Sequence, residues 1–196
     1  MTIFLQARRA RAACRKHGTQ RGISLVIVMI FLVILSVLGV SAMQGSSLSS
    51  RVARNASDRS LAFQAAEAAL KDAERDVKYL RFDNSTCAPT ITGCRAEKLR
   101  GGNGFDASCP TGLCDPTQIS TPVWEDSTKW ASSGASVAYG TYTGSASLPV
   151  VGQQPRYLVE YLPLGDTTVY RITAVGFGAN TSSQVMLQTA VKVLQL

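Results

Sequence analysis

The chain has 196 residues, with 20 Lys and Arg against 13 Asp and Glu and a formal net charge of +7. A balance that basic points to nucleic acid or an anionic surface, yet Arg8, Arg9, Arg11, Arg15, Lys16 and Arg21 are crowded into the first 22 residues, which hold no acid. Removing those six leaves 14 basic residues against 13 acidic, a net of +1, which excludes an electrostatic footprint for nucleic acid in the remainder.

Residues 1–22 form a basic leader that ends in Gly22, and an apolar run starts at the next residue. Residues 23–40 read ISLVIVMIFLVILSVLGV without a charge, and residues 41–43 extend the run to the ~20 residues that cross a bilayer core. A secretory signal has a shorter apolar segment and is cut on its far side. Here the cut site lies before the apolar segment, so cleavage leaves a membrane-spanning helix, residues 23–43, on the mature chain. Lys and Arg beside a span are retained on the cytoplasmic side, which puts the N-terminus inside and exports everything after Met43. Arg51, Arg54 and Arg59 are too few to reverse that bias.

Cysteine usage agrees with this topology. Cys14 lies in the leader, while Cys87, Cys94, Cys109 and Cys114 form an even set in the exported part, where oxidising conditions favour disulfides. Four cysteines permit three connectivities, and we expect the two short loops, Cys87 with Cys94 and Cys109 with Cys114. The rival is a zinc site with four thiolate ligands, although gaps of six, fourteen and four residues lack the C-x2-C knuckles of such sites.

Residues 44–82 read as an amphipathic continuation of the helix, to near Arg81. Phe63, Ala66, Leu70, Ala73, Val77 and Leu80 recur at steps of three and four, the spacing of one apolar helical face. Glu67, Lys71, Asp72, Glu74, Arg75 and Lys78 occupy the other face, with Glu-to-Lys pairs four apart that add ~0.3 kcal/mol each. One helix over residues 23–81 has a length on the order of 90 Å at 1.5 Å per residue, with a weak serine-rich stretch after Gly45.

Residues 83–155 change character. Gly, Ser, Thr, Pro and Asn dominate, all four exported cysteines fall here, and loops with short strands are expected, with Trp124 and Trp130 packing them onto the helix. GGNG at residues 101–104 reads as a turn. Residues 156–196 bring strand signals: RYLVEYL, TTVYRITAVGF and SQVMLQTAVKVL, separated by PLGD and GANTS, make an antiparallel meander. In its second strand Val169, Thr173, Val175 and Phe177 share one parity and are assigned to the core, against which Arg171, of the same parity, counts. The fold class is α+β, a long N-terminal helix packed on a C-terminal antiparallel sheet with a disulfide-containing loop region between.

Catalytic signals are missing. The one histidine, His17, is in the leader, so no Ser-His-Asp or Cys-His system can form in the mature chain. No phosphate loop or H-E-x-x-H occurs. Asp106, Asp115, Glu125 and Asp126 read as loop carboxylates, and a calcium loop of D-x-[DN]-x-[DN]-G form is absent. No enzyme activity, cofactor or metal is expected.

A basic leader ending in Gly, a retained apolar helix, RSLAFQAAEAALKDAE after it, and RYLVEYL and YRITAVGFG near the end together resemble the type IV pilins, and among them the minor pilins. The resemblance covers over half of the chain and little of residues 83–155. It implies cleavage between Gly22 and Ile23 by a prepilin peptidase, which also N-methylates Ile23. Ile23 replaces the more usual Phe. The fifth mature position, normally Glu, is Ile27, so this chain cannot neutralise the N-terminal amine of a neighbouring subunit. The implied partners are other minor pilins, the major pilin and the inner-membrane assembly platform. The implied place is first the inner membrane, with the head periplasmic, and then the pilus, at or near its tip. The alternatives are a pseudopilin that caps a type II secretion pseudopilus and an uncleaved, signal-anchored envelope adhesin or sensor.

Overall fold

A computed structural model of the chain describes residues 22–88, 91, 93–164 and 167–193, without the side chains of 42–47. The leader reading for residues 1–21 lies outside the described residues. Helix α1, Ile23–Val77, has 55 residues, ending about four residues short of expectation. The chain divides into two compact units, residues 1–50 and 51–196. In the first, Ile23–Ser41 has a mean hydropathy of 3.2 and no buried residue, a helix long and apolar enough to cross a membrane. Two of its serines turn inward on the helix backbone, Ser36 Oγ donating to the Leu32 carbonyl at 2.7 Å and Ser41 Oγ to that of Val37 at 3.0 Å. Hydrocarbon offers no other hydrogen-bond partner, so such back-bonding makes the hydroxyls tolerable there.

The second unit is built on three long strands, β3 (Arg156–Leu164), β4 (Thr167–Phe177) and β5 (Gln184–Val193), paired antiparallel as a meander. Two short strands, β1 (Leu113–Cys114) and β2 (Val137–Ala138), line the edge of β3 away from β4, β1 parallel and β2 antiparallel. Short helices α2 (Ala96–Leu99) and α3 (Ser127–Trp130) lie in the intervening loops.

Register places Tyr157 beside Ala174, Val159 beside Ile172 and Tyr161 beside Tyr170. These side chains form the main core with Ala69, Ala73 and Val77 of α1 and with Leu99, Phe105, Leu113 and Val137 from the loops. The buried stripe of α1 is Ala62, Ala65, Ala66, Ala69, Asp72, Ala73, Asp76 and Val77. That corrects the expected face: Ala66, Ala73 and Val77 belong to it, Leu70 and Leu80 are half-buried, and Phe63 is 44% exposed. The reason is the closeness of helix and sheet. A Cβ on Gly176 of β4 would fall on the Ala62 carbonyl oxygen and the Ala66 amide nitrogen, so only small residues fit on either side of that crossing.

The parity of β4 is also corrected. Tyr170, Ile172 and Ala174 face the helix, whereas Val169, Thr173, Val175 and Phe177 lie on the opposite face. Thr173, Val175 and Phe177 are nonetheless buried, because loops cover that face too. A second cluster of Cys109, Cys114, Val123 and Leu158, with Ile119, Trp124, Trp130 and Ala135 against it, makes this outer layer. Trp124 and Trp130 therefore pack loops onto the outer face of the sheet and not onto the helix.

Candidate functional sites: the processing junction and the head

Gly22 immediately precedes the first residue of α1, and a Cβ added to it would meet nothing within 4 Å. Packing does not demand glycine there, and the peptide bond to Ile23 stands exposed. Ile23, Ile27 and Leu32 are all exposed on a helix with no acid in its first turn. The first turn holds no carboxylate, and position 27 holds none either.

In the head, two carboxylates of α1 hold loops to the core. Asp76 is buried against Arg95, whose Nε donates at 2.9 Å and whose Nη2 makes a second, shorter contact to the same oxygen. Tyr157 donates its hydroxyl to that oxygen at 3.0 Å, Arg95 also donates to the Thr111 carbonyl, and its guanidinium lies 4.1 Å from the Tyr142 ring centre. Burial is the largest single influence on the Arg95 guanidinium and pushes it down, but the Asp76 charge and hydrogen bond together with the Tyr157 and Tyr142 hydroxyls hold it above its ordinary value. Burial and then the same charge push the Tyr157 hydroxyl well up. One turn earlier, Asp72 accepts from the Gly140 amide at 2.8 Å, from Ser145 Oγ at 2.8 Å and from Thr143 Oγ1.

The cysteines staple the loops. Cys87 is bonded to Cys94 with Cα atoms 5.6 Å apart, and Cys109 to Cys114 at 4.2 Å, which leaves no thiolate among the four for zinc. The second bridge is made at Cys114, the last residue of β1, which pairs with Glu160 of β3. Asp106 and Asp115 each bind their own turns, accepting from Ser108 and from Thr117, and Asp126 does so with Thr128. Glu125 is exposed at the rim of a groove lined by Trp124, Trp130, Val175, Phe177 and Met186.

Sequence reading missed three features of this head. Asp72 appears there on the solvent face although it is buried; Asp76 and its partner Arg95 go unmentioned; and Arg171, rightly weighed against the core assignment of its parity, is given no partner. Arg171 in fact forms a two-point pair with buried Glu160, at 2.7 and 2.6 Å, beneath the Trp124 ring. The findable signal was register, since Glu160 and Arg171 are directly opposite each other.

Comparison with curated proteins and with solved structures found no match. Family models do match: residues 21–71 fit the PilX N-terminal family, and residues 83–193 fit the family described as type IV pilus assembly protein PilX C-term. The two matches meet the apolar helix and the loop-and-sheet head in the order the structure shows them, and the chain therefore belongs to the PilX family of type IV pilus assembly proteins.

Proposed function

We propose that this chain is a minor pilin that helps to start pilus assembly and stays at or near the tip, in a complex with other minor pilins. Prepilin peptidase would cut between Gly22 and Ile23 and N-methylate Ile23, leaving residues 23–43 as the anchor in the inner membrane and the head in the periplasm. The head has a structural role and no catalytic one. The observation that carries the tip placement is Ile27. A subunit with no carboxylate at that position cannot compensate the buried amine of a predecessor, and an unpaired charge in hydrocarbon is costly. Such a subunit is handicapped at joining a stack but loses nothing by being first.

Intact mass and N-terminal peptide mapping of the native protein tests the processing, with a mature chain beginning at N-methylated Ile23 as the expected result. Substituting Ile27→Glu tests the placement. The variant should enter the shaft, and fewer pili should start per cell. Unchanged pilus number together with unchanged position would remove the charge argument.

A further inference from the structure

The two long edges of the sheet are treated differently. The far edge of β3 is covered by β2 along Arg156 and Tyr157 and by β1 along Val159 and Glu160. On the other side the strand order ends at β5, and among the described residues no strand pairs with its outer edge. An open edge presents a row of unpaired N–H and C=O groups, which proteins blunt with proline, bulges, brevity or charge. β5 uses little of this. It is ten residues long, contains no proline and has Lys192 as its one charge, and it keeps register with β4 through ten successive pairs without a bulge.

The faces beside that edge point the same way. Val185, Leu187 and Val193, on the helix side, stay half-buried, so the core does not fully shelter the strand. On the outer side Met186 is 41% exposed and, with Gln184, forms one wall of the groove that holds Trp124, Trp130 and Phe177. Six residues further along the same face, Lys192 takes part in none of the ion pairs among the described residues.

We propose that the outer edge of β5 receives an extended segment of a different exported chain, which joins the sheet as a further strand. Its backbone would pair with the open row, the mode in which main-chain bonds give affinity and alternate side chains give specificity. An apolar side chain beside Met186 would enter the groove, and an acid at the other end would meet Lys192. A second copy of this chain fits worse: the outer face of β5 carries Gln184, Met186, Gln188, Ala190 and Lys192, with no acid, so self-pairing leaves Lys192 uncompensated. The proposal takes from the pilus reading only that the partner is met among co-assembled exported chains.

Residue-resolved amide exchange over β5 tests it, on the full chain in detergent alone and on the full chain purified with the pilus proteins it retains. Every second amide, those pointing away from β4, should slow at least about tenfold in the complex, the factor that ~1.4 kcal/mol gives, while the alternate amides stay unchanged. Met186→Lys and Lys192→Glu should each abolish that slowing and leave the denaturation midpoint where it was. Retained pilus proteins without alternate slowing would overturn the strand and leave the pilus reading standing. Slowing in the chain alone that grows with its concentration would overturn the choice of partner in favour of a second copy. A chain that retains no pilus protein and shows no slowing would overturn both readings.

Discussion

Asp72 and Asp76 are one turn apart on α1, and each spends a buried carboxylate on a loop distant in sequence. Asp76 is the more demanding of the two because it shares its site with a full guanidinium charge. Removing one partner of a buried pair leaves the other uncompensated, which costs about 3–5 kcal/mol, whereas replacing both with apolar groups of similar volume is often neutral. Asp76→Asn should therefore lower stability by roughly 3–5 kcal/mol in urea denaturation of the solubilised chain, and Asp76→Leu with Arg95→Met should recover most of it. A loss below about 1 kcal/mol for Asp76→Asn, the range of exposed pairs, would mean that Arg95 is solvated. The exposed pair Lys78–Glu74, at 3.9 Å, is the contrast and should be nearly silent. These carboxylates were illegible beforehand because their partners are loop and strand residues up to 81 positions away, and a period along one helix reports nothing about them.

The packing of α1 on β4 shows why the strands were easier to read than the helix face. Long runs of β-branched and aromatic residues between turn signals specify β3, β4 and β5 locally, and their bounds agree with expectation to within two residues. Parity failed in β4 because its second half is buried on both faces, which erases alternation as a signal. The helix face failed for a different reason: ranking by size selects Phe63 and Leu70, while the close crossing at Gly176 selects alanines. Two substitutions separate these views. Gly176→Ala must push the strand off the backbone of α1 and should cost about 1–3 kcal/mol, as overpacking does. Phe63→Ala, at an exposed site, should fall within about ±0.5 kcal/mol, where a buried phenylalanine would cost roughly 3–5 kcal/mol. Equilibrium denaturation of both variants decides between the two faces, and a Phe63→Ala loss in the larger range would restore the face that includes Phe63.

At the scale of the whole chain, insertion and assembly place separate demands on one helix. The span Ile23–Ser41 contains fourteen Ile, Leu, Val and Phe residues. At about −0.3 to −0.6 kcal/mol each near the helix centre, these sum to roughly −4 to −8 kcal/mol, and a central Arg adds about +2.5 to +3.5. Leu32→Arg alone thus leaves insertion favourable, while Leu32→Arg with Leu35→Arg brings the balance to about zero. Cysteine chemistry reports the difference, since Cys87, Cys94, Cys109 and Cys114 can pair only if the head reaches an oxidising compartment. The single variant should keep all four blocked to alkylation yet fail to join a filament, because a guanidinium in an apolar bundle lacks a partner. In the double variant, with its balance near zero, about half of the chains should show four reactive thiols. If the single variant already exposes its thiols, insertion is the step at risk and the packing demand on Leu32 falls away; if both variants stay blocked, the head reaches the oxidising side without this span, and the anchor reading of Ile23–Ser41 fails.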